Sequence, residues 1–127
     1  MKVGAQSGQS LESNKNFASS EEVQENLIEV EDVTVAFRAN GRDLKPVDNI
    51  SFHIKPGEIL GMVGESGSGK TITALSMMRL IEPPGRINGG HIIYRGMDLL
   101  HKSESQMRKI RGKEIGYIFQ TFNLIPY

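Results

Sequence analysis

The sequence predicts an α/β domain, and three observations predict it. The first is a strand-loop-helix succession. The apolar run Ile59-Leu60-Gly61-Met62-Val63 leads into Gly64-Glu65-Ser66-Gly67-Ser68-Gly69-Lys70-Thr71, and residues 71–81 follow with Ile72, Leu75, Met78 and Ile81 three apart. A run of five apolar residues suits a buried strand, and the three-residue spacing suits one face of a helix. The second is a pair of alternating segments ahead of that run, 27–37 and 47–54, separated by a polar stretch with Asn40-Gly41 at its centre. The third is a further run of short apolar and basic segments between residues 85 and 120, punctuated by glycine.

The central octapeptide fits the spacing G-x-x-x-x-G-K-[ST], and each fixed position has a chemical reason. Gly64, Gly67 and Gly69 allow positive φ and close approach of the backbone to a ligand. Successive N–H groups then form a nest for phosphate oxygens, and the helix that follows presents unpaired N–H groups at its positive end. Lys70 is placed to reach the β- and γ-phosphates, and the Thr71 hydroxyl to ligate Mg²⁺. The expected nucleotide contacts are therefore Gly64, Glu65, Ser66, Gly67, Ser68, Gly69, Lys70, Thr71 and Ile72.

Composition bounds the remaining classes. The chain has 127 residues, with Lys+Arg and Asp+Glu balanced at 15 each, so no overall charge draws it to nucleic acid or an anionic membrane. Cysteine is absent, which removes disulfides, thiolate metal sites and a cysteine nucleophile and is compatible with a reducing compartment. No apolar run approaches the roughly 20 residues of a membrane helix, and no apolar stretch follows Lys2 as in a secretory signal. A membrane role would thus require a partner protein.

In chain order, residues 1–26 are rich in Ser, Gln, Asn, Glu and Gly and are expected to form a disordered tail, with a docking peptide as the alternative. Val33, Val35 and Phe37 alternate with Thr34 and Ala36, and Ile50, Phe52 and Ile54 alternate with Ser51, His53 and Lys55, which predicts two strands of one hairpin. Pro56-Gly57 fits the centre of a type II turn. The helix over 71–81 should pack its apolar face on a sheet and end before Pro83-Pro84. Residues 87–90 turn the chain into a strand at 91–94. Ser103 and Gln106 have capping-box spacing for a basic helix over 104–111, closed by Gly112. A last strand is expected over 115–119, ending at Gln120. His53, His91 and His101 fit no metal-ligand spacing and read as surface or strand residues.

From about residue 27 to residue 127 these features resemble the ATP-binding subunits of ABC transporters, and within them the dipeptide, oligopeptide and nickel importer branch. The resemblance rests on Val33 to Phe37, on Val47-Asp48-Asn49-Ile50-Ser51-Phe52 with Pro56-Gly57-Glu58, on the Gly64 to Thr71 loop, on Gly90-His91-Ile92-Ile93-Tyr94 with Gly96-Met97-Asp98-Leu99, and on Met107-Arg108-Lys109-Ile110-Arg111-Gly112. It implies a P-loop NTPase fold, the first half of a RecA-like core with an antiparallel β subdomain, truncated before the helical subdomain.

The resemblance also implies ATP and Mg²⁺ as cofactors, Lys70 and Gln120 as catalytic residues, and Thr71 and Gln120 on the metal side. Phe37 falls where an aromatic ring stacks on adenine, with a strand residue buried in the hairpin core as the alternative reading. The implied partners are membrane-spanning permease subunits, a second ATP-binding subunit and, indirectly, a solute-binding protein, with the chain peripheral on the cytoplasmic face of the membrane. Thr121-Phe122-Asn123-Leu124-Ile125-Pro126-Tyr127 departs from the importer pattern toward lipoprotein-release and macrolide-export branches. The family's L-S-G-G-Q signature, its acidic strand end and its switch histidine are not in the sequence. ATP turnover by this chain alone is therefore not expected, its isolated fold should be marginal, and a non-catalytic nucleotide-binding module stands as a third reading.

Overall fold

A computed structural model describes residues 2–7 and 25–120. Its elements in chain order are β1 (Lys2–Ser7), β2 (Ile28–Ala39), β3 (Arg42–Ile54), β4 (Glu58–Val63), α1 (Lys70–Met77), β5 (Gly85–Ile87), β6 (His91–Tyr94), β7 (Met97–Asp98), a 3₁₀ turn (Leu99–His101) and α2 (Glu104–Ile110). β2 is the centre of a five-stranded antiparallel sheet in the order β3-β2-β6-β7, with β5 also on β2, while β1 and β4 form a separate antiparallel pair.

The expected hairpin is present and longer than its apolar pattern suggests. Asn40 and Gly41 both take positive φ, 52° and 74°, the geometry of a two-residue I′ turn whose twist matches the strands it joins. Pairing runs unbroken from that turn through Arg38↔Asp43 and Phe37↔Leu44, so the polar stretch is ladder rather than loop. Three register shifts between Val30 and Phe37 bend β2 over the core. Asp32 and Asn49, both at positive φ, stand in this bent region, where the Asp32 N–H donates to Ser51 Oγ at 2.9 Å and the Asn49 N–H to Thr34 Oγ1 at 2.9 Å. The inward side chains Val30, Val33, Val35 and Val47 meet Ile92, Leu99 and Met107 in a fully buried cluster. The capping box at α2 forms as expected, Gln106 N–H donating to Ser103 Oγ and Ser103 N–H to Gln106 Oε1.

Three expectations are corrected. The helix after the loop ends at Met77, not at residue 81. Arg79 turns to φ 53°, and Leu80 N–H reaches Leu75 O while Arg79 N–H reaches Ser76 O, a Schellman closure with arginine where glycine is usual. As expected, the apolar stripe packs on the core, with Met78 buried and Ile72 and Ile81 partly buried against it, and the helix buries Thr73 and Ser76 as well. Both hydroxyls are held by carbonyls of the same helix, Thr73 Oγ1 on Gly69 O at 2.7 Å and Ser76 Oγ on Thr73 O at 2.6 Å, so their burial is compensated.

Residues 115–119 make no strand; only Ile115 bridges Arg111, and Ile118 is 96% exposed. A strand exists through its ladder, and among the described residues none is offered to this segment. Finally, Lys2–Ser7 is strand rather than disordered tail, paired antiparallel to β4 from Lys2↔Val63 to Ser7↔Glu58. β4 thus finds its ladder in the N-terminal segment instead of a parallel neighbour, and Ile59 and Val63 stay largely exposed. The rest of the expected tail, 8–24, and the departing segment 121–127 lie outside the described residues.

Candidate functional site

The loop between β4 and α1 is shaped by two glycines and one lysine. Gly67 and Gly69 adopt φ 82° and 94°, which L side chains adopt only at a cost. Gly64 does not share this conformation; its contribution is its carbonyl. Lys70 Nζ donates to Gly64 O at 2.5 Å, to Glu65 O at 2.8 Å and to Ser68 Oγ at 3.3 Å. Glu65 O also accepts from Ser68 N–H at 3.1 Å, so the ammonium closes the loop from its own helix. The Lys70 charge is thereby held at the loop rather than sweeping solvent.

Gly69 is the N-cap of α1 and is buried. Its carbonyl takes the first helical N–H, that of Thr73, at 2.9 Å. The amides of Lys70, Thr71 and Ile72 therefore stand outside the helical ladder at its positive end. A cavity of about 360 Å³ opens there, lined by Ser66, Gly67, Ser68, Gly69, Lys70, Thr71 and Ile72, together with Pro46 and Gln120. That volume is in the range of small-ligand sites. The donor set of backbone amides, one ammonium and hydroxyls suits a polyphosphate. The exposed Thr71 hydroxyl and the Gln120 amide oxygen at the same cavity are hard oxygen donors, the class Mg²⁺ takes.

Most of the site residues named from sequence are brought together. Gln120 lies 49 or more residues from the loop in sequence and reaches its cavity, although the strand expected to deliver it does not form. Gly64 and Glu65 stand behind the cavity and contribute carbonyls to Lys70. Phe37 is not at the phosphate cavity. Its ring is half-buried against Gly85 and borders a second, apolar cavity of about 430 Å³ with Leu75, Leu80, Ile81, Glu82 and Phe119. Ile72 lines both cavities, so the aromatic ring and the phosphate loop face spaces that share one wall. Glu58 remains at the far end of β4, its carboxylate turned back to Lys55 N–H at 3.5 Å.

One residue was not legible beforehand. Pro46 lines the phosphate cavity, and its carbonyl oxygen lies where a Cβ on Gly69 would come within 2.4 Å. The sequence carries no signal for it, because a proline ahead of an alternating strand reads as a strand start.

Comparison with known proteins follows this geometry. The model of the family described as ABC transporter matches residues 47–127. The oligopeptide transport ATP-binding protein OppD of Bacillus subtilis (strain 168) is 45% identical over 95 residues, 74% of this chain and 26% of that protein. The dipeptide transport ATP-binding protein DppD of Escherichia coli (strain K12) is 40% identical over 94 residues, 74% of this chain and 29% of that protein. The chain spans about a quarter of the length of these curated relatives. With a P-loop α/β fold, a lysine-closed phosphate loop and a family match over most of its length, the chain belongs to the ABC transporter family.

Proposed function

We propose that the chain is the ATP-binding portion of an ABC transporter ATPase subunit that drives import of peptides across a membrane. The observation that carries the nucleotide part is the cavity on which the loop amides, Lys70, Thr71 and Gln120 converge. In this reading the amides from Ser66 to Ile72 hold the phosphates and Lys70 leaves the Gly64 and Glu65 carbonyls for the terminal phosphates. Thr71 and Gln120 provide oxygen ligands to Mg²⁺, which when bound supplies charge neutralisation for phosphoryl transfer. Gln120 also orients the attacking water. Phe37, with Ile72 between it and the loop, offers its ring to adenine.

The peptide part is supported by the printed names of the relatives, which are oligopeptide and dipeptide transport proteins. A lipoprotein-release or macrolide-export role, suggested by residues 121–127, has no such support. No helix among the described residues is long and apolar enough to cross a membrane. A peripheral position against permease subunits, with a second ATP-binding subunit, fits that finding.

The test has two arms. ATP binding with Mg²⁺ is measured on the chain and on Lys70→Ala, which should lose at least roughly tenfold in affinity, the scale of a hydrogen bond to a charged group. Equal affinity would remove the loop from the proposal. Peptide uptake is then measured in cells carrying the whole transporter with and without Lys70→Ala; uptake unaffected by the substitution would overturn the import reading.

A further inference from the structure

His91, Asp98 and His101 are seven and three residues apart in sequence, and the fold gathers them for two local reasons. Arg95 and Gly96 take φ 47° and 77°, a two-residue I′ turn that sets Asp98 opposite Ile93 in the β6–β7 ladder. His91 precedes Ile93 by two residues, so its side chain leaves the same face of the sheet and becomes a diagonal neighbour of Asp98. His101 follows Asp98 by three residues across the 3₁₀ turn, where side chains at i and i+3 eclipse. His91 Nδ1 comes within 2.7 Å of Asp98 Oδ2, and His101 Nε2 within 3.4 Å of the same oxygen. The three ligand atoms all lie within 4.8 Å of one another.

The carboxylate is oriented independently of the imidazoles. Asp98 Oδ1 accepts from Leu100 N–H at 3.0 Å and from Ile92 N–H at 3.4 Å, which leaves Oδ2 turned to the two rings. Backbone donors of this kind are what fix a ligating carboxylate from its outer shell. The rings themselves are 55% and 77% exposed against 18% for Asp98, so they have room to adjust and the remaining side of the cluster faces water. With metal–ligand bonds of about 2.0–2.2 Å in a tetrahedral site, neighbouring donor atoms stand roughly 3.2–3.5 Å apart. The His101 spacing already meets this, and the His91 spacing meets it once the hydrogen bond to Asp98 opens by about half an ångström.

We propose that His91, Asp98 and His101 form a binding site for a divalent transition cation, zinc being the best match, with water as the fourth ligand. Two imidazoles and one carboxylate favour zinc, nickel or copper over magnesium or calcium, which take oxygen ligands. The cation replaces the proton shared by His91 and Asp98 and ties the start of β6 to the 3₁₀ turn. Because it binds the folded arrangement only, it stabilises the β6–β7 region in proportion to its free concentration. The site uses none of the loop residues.

Cobalt(II), as a coloured stand-in for zinc, is titrated into the full chain near neutral pH. One equivalent should produce ligand-field absorption in the visible, and zinc should abolish it by displacement. The double substitution His91→Gln, His101→Gln should lower affinity by more than the roughly 10–100-fold that loss of an outer-shell partner costs. Asp98→Asn, which keeps an acceptor for the Leu100 N–H, should do the same. His53→Gln, outside the cluster, should change nothing. Far-UV circular dichroism checks that each variant is folded, which the exposure of both rings favours. Zinc should raise the melting temperature of the parent chain and not of the double variant. Affinity in the double variant within about twofold of the parent, well inside the outer-shell range, or an equal loss in His53→Gln, would overturn the proposal.

Discussion

Gly69 stands so close to Pro46 that a Cβ on it would lie 2.4 Å from the Pro46 carbonyl oxygen and 3.3 Å from Val47 Cγ2. The phosphate loop is thus seated on the start of the β3 apolar stretch, and the seat admits only glycine. Gly69→Ala must move backbone against backbone as well as hold φ 94°. The strain alone is about 1–3 kcal/mol. The expected outcome is a lower melting temperature together with loss of nucleotide binding. Gly67→Ala makes the comparison: its Cβ would meet nothing within 4 Å, so it should show the conformational cost without the collision and remain the more stable of the two.

Substitution of Phe37 tests base binding apart from phosphate binding. If its ring receives adenine in the apolar cavity it borders with Leu75 and Ile81, Phe37→Ala should weaken ATP by roughly 1–3 kcal/mol, the scale of a base–aromatic stack. Inorganic tripolyphosphate, which has no base, should bind the variant as it binds the parent. Equal losses for both ligands would make Phe37 a core residue acting through the fold.

Arg111 secures the far end of the helix that carries Lys70 and Thr71. Its Nε donates to Met78 O at 2.8 Å, one guanidinium nitrogen to Arg79 O at 3.0 Å, and the other pairs with Glu104 at 2.6 Å. Arg111→Ala leaves two helix-end carbonyls without these donors and should cost about 1.5–3 kcal/mol, as for hydrogen bonds to a charged group. Arg111→Lys should recover only part of this, since an ammonium has no planar fork with which to span the three acceptors. Denaturant unfolding of the three proteins measures both effects.

The same pair gives a pH dependence of known sign. The hydrogen bond from Arg111 holds the Glu104 carboxyl below its ordinary value of 4.5; desolvation opposes it, and the Arg111, Arg108 and Arg79 charges add to the lowering. A lowered folded pKa means the contribution is complete above 4.5 and is lost as pH falls through the folded value. Unfolding curves collected between neutral pH and the lower carboxylate range should show parent stability dropping toward that of Glu104→Gln. The gap should narrow with added salt because Glu104 is 55% exposed. A gap that widened on acidification would contradict the sign.

Much of the chain was legible without coordinates. The Asn40-Gly41 turn, the alternation of Val33, Val35 and Phe37, the Ser103/Gln106 capping box and the loop from Gly64 to Thr71 all express contacts between residues within a few positions of one another. Where a rule spans so short a stretch, the residues alone state it. Legibility failed where a local preference met a distant partner. Nothing within residues 71–81 announces that Arg79 will adopt φ 53°, because the reason lies partly in Arg111, which takes the Met78 and Arg79 carbonyls, and in Leu99 and Lys102, whose carbonyls hold the Arg79 guanidinium.

The sequence by itself determined the α/β class, the hairpin and the identity of the phosphate loop, since periodicity, turn chemistry and the G-x-x-x-x-G-K-[ST] spacing are local properties. Only the tertiary structure decided that Pro46 closes the back of the loop and that Gln120 reaches its cavity. It alone paired β4 with residues 2–7 and drew His91, Asp98 and His101 onto one carboxylate oxygen. The physical reason is the same in each case. A strand's partner, and the side chain opposite another across a turn, are set by which surfaces the whole chain brings into contact, and no window of sequence contains both sides.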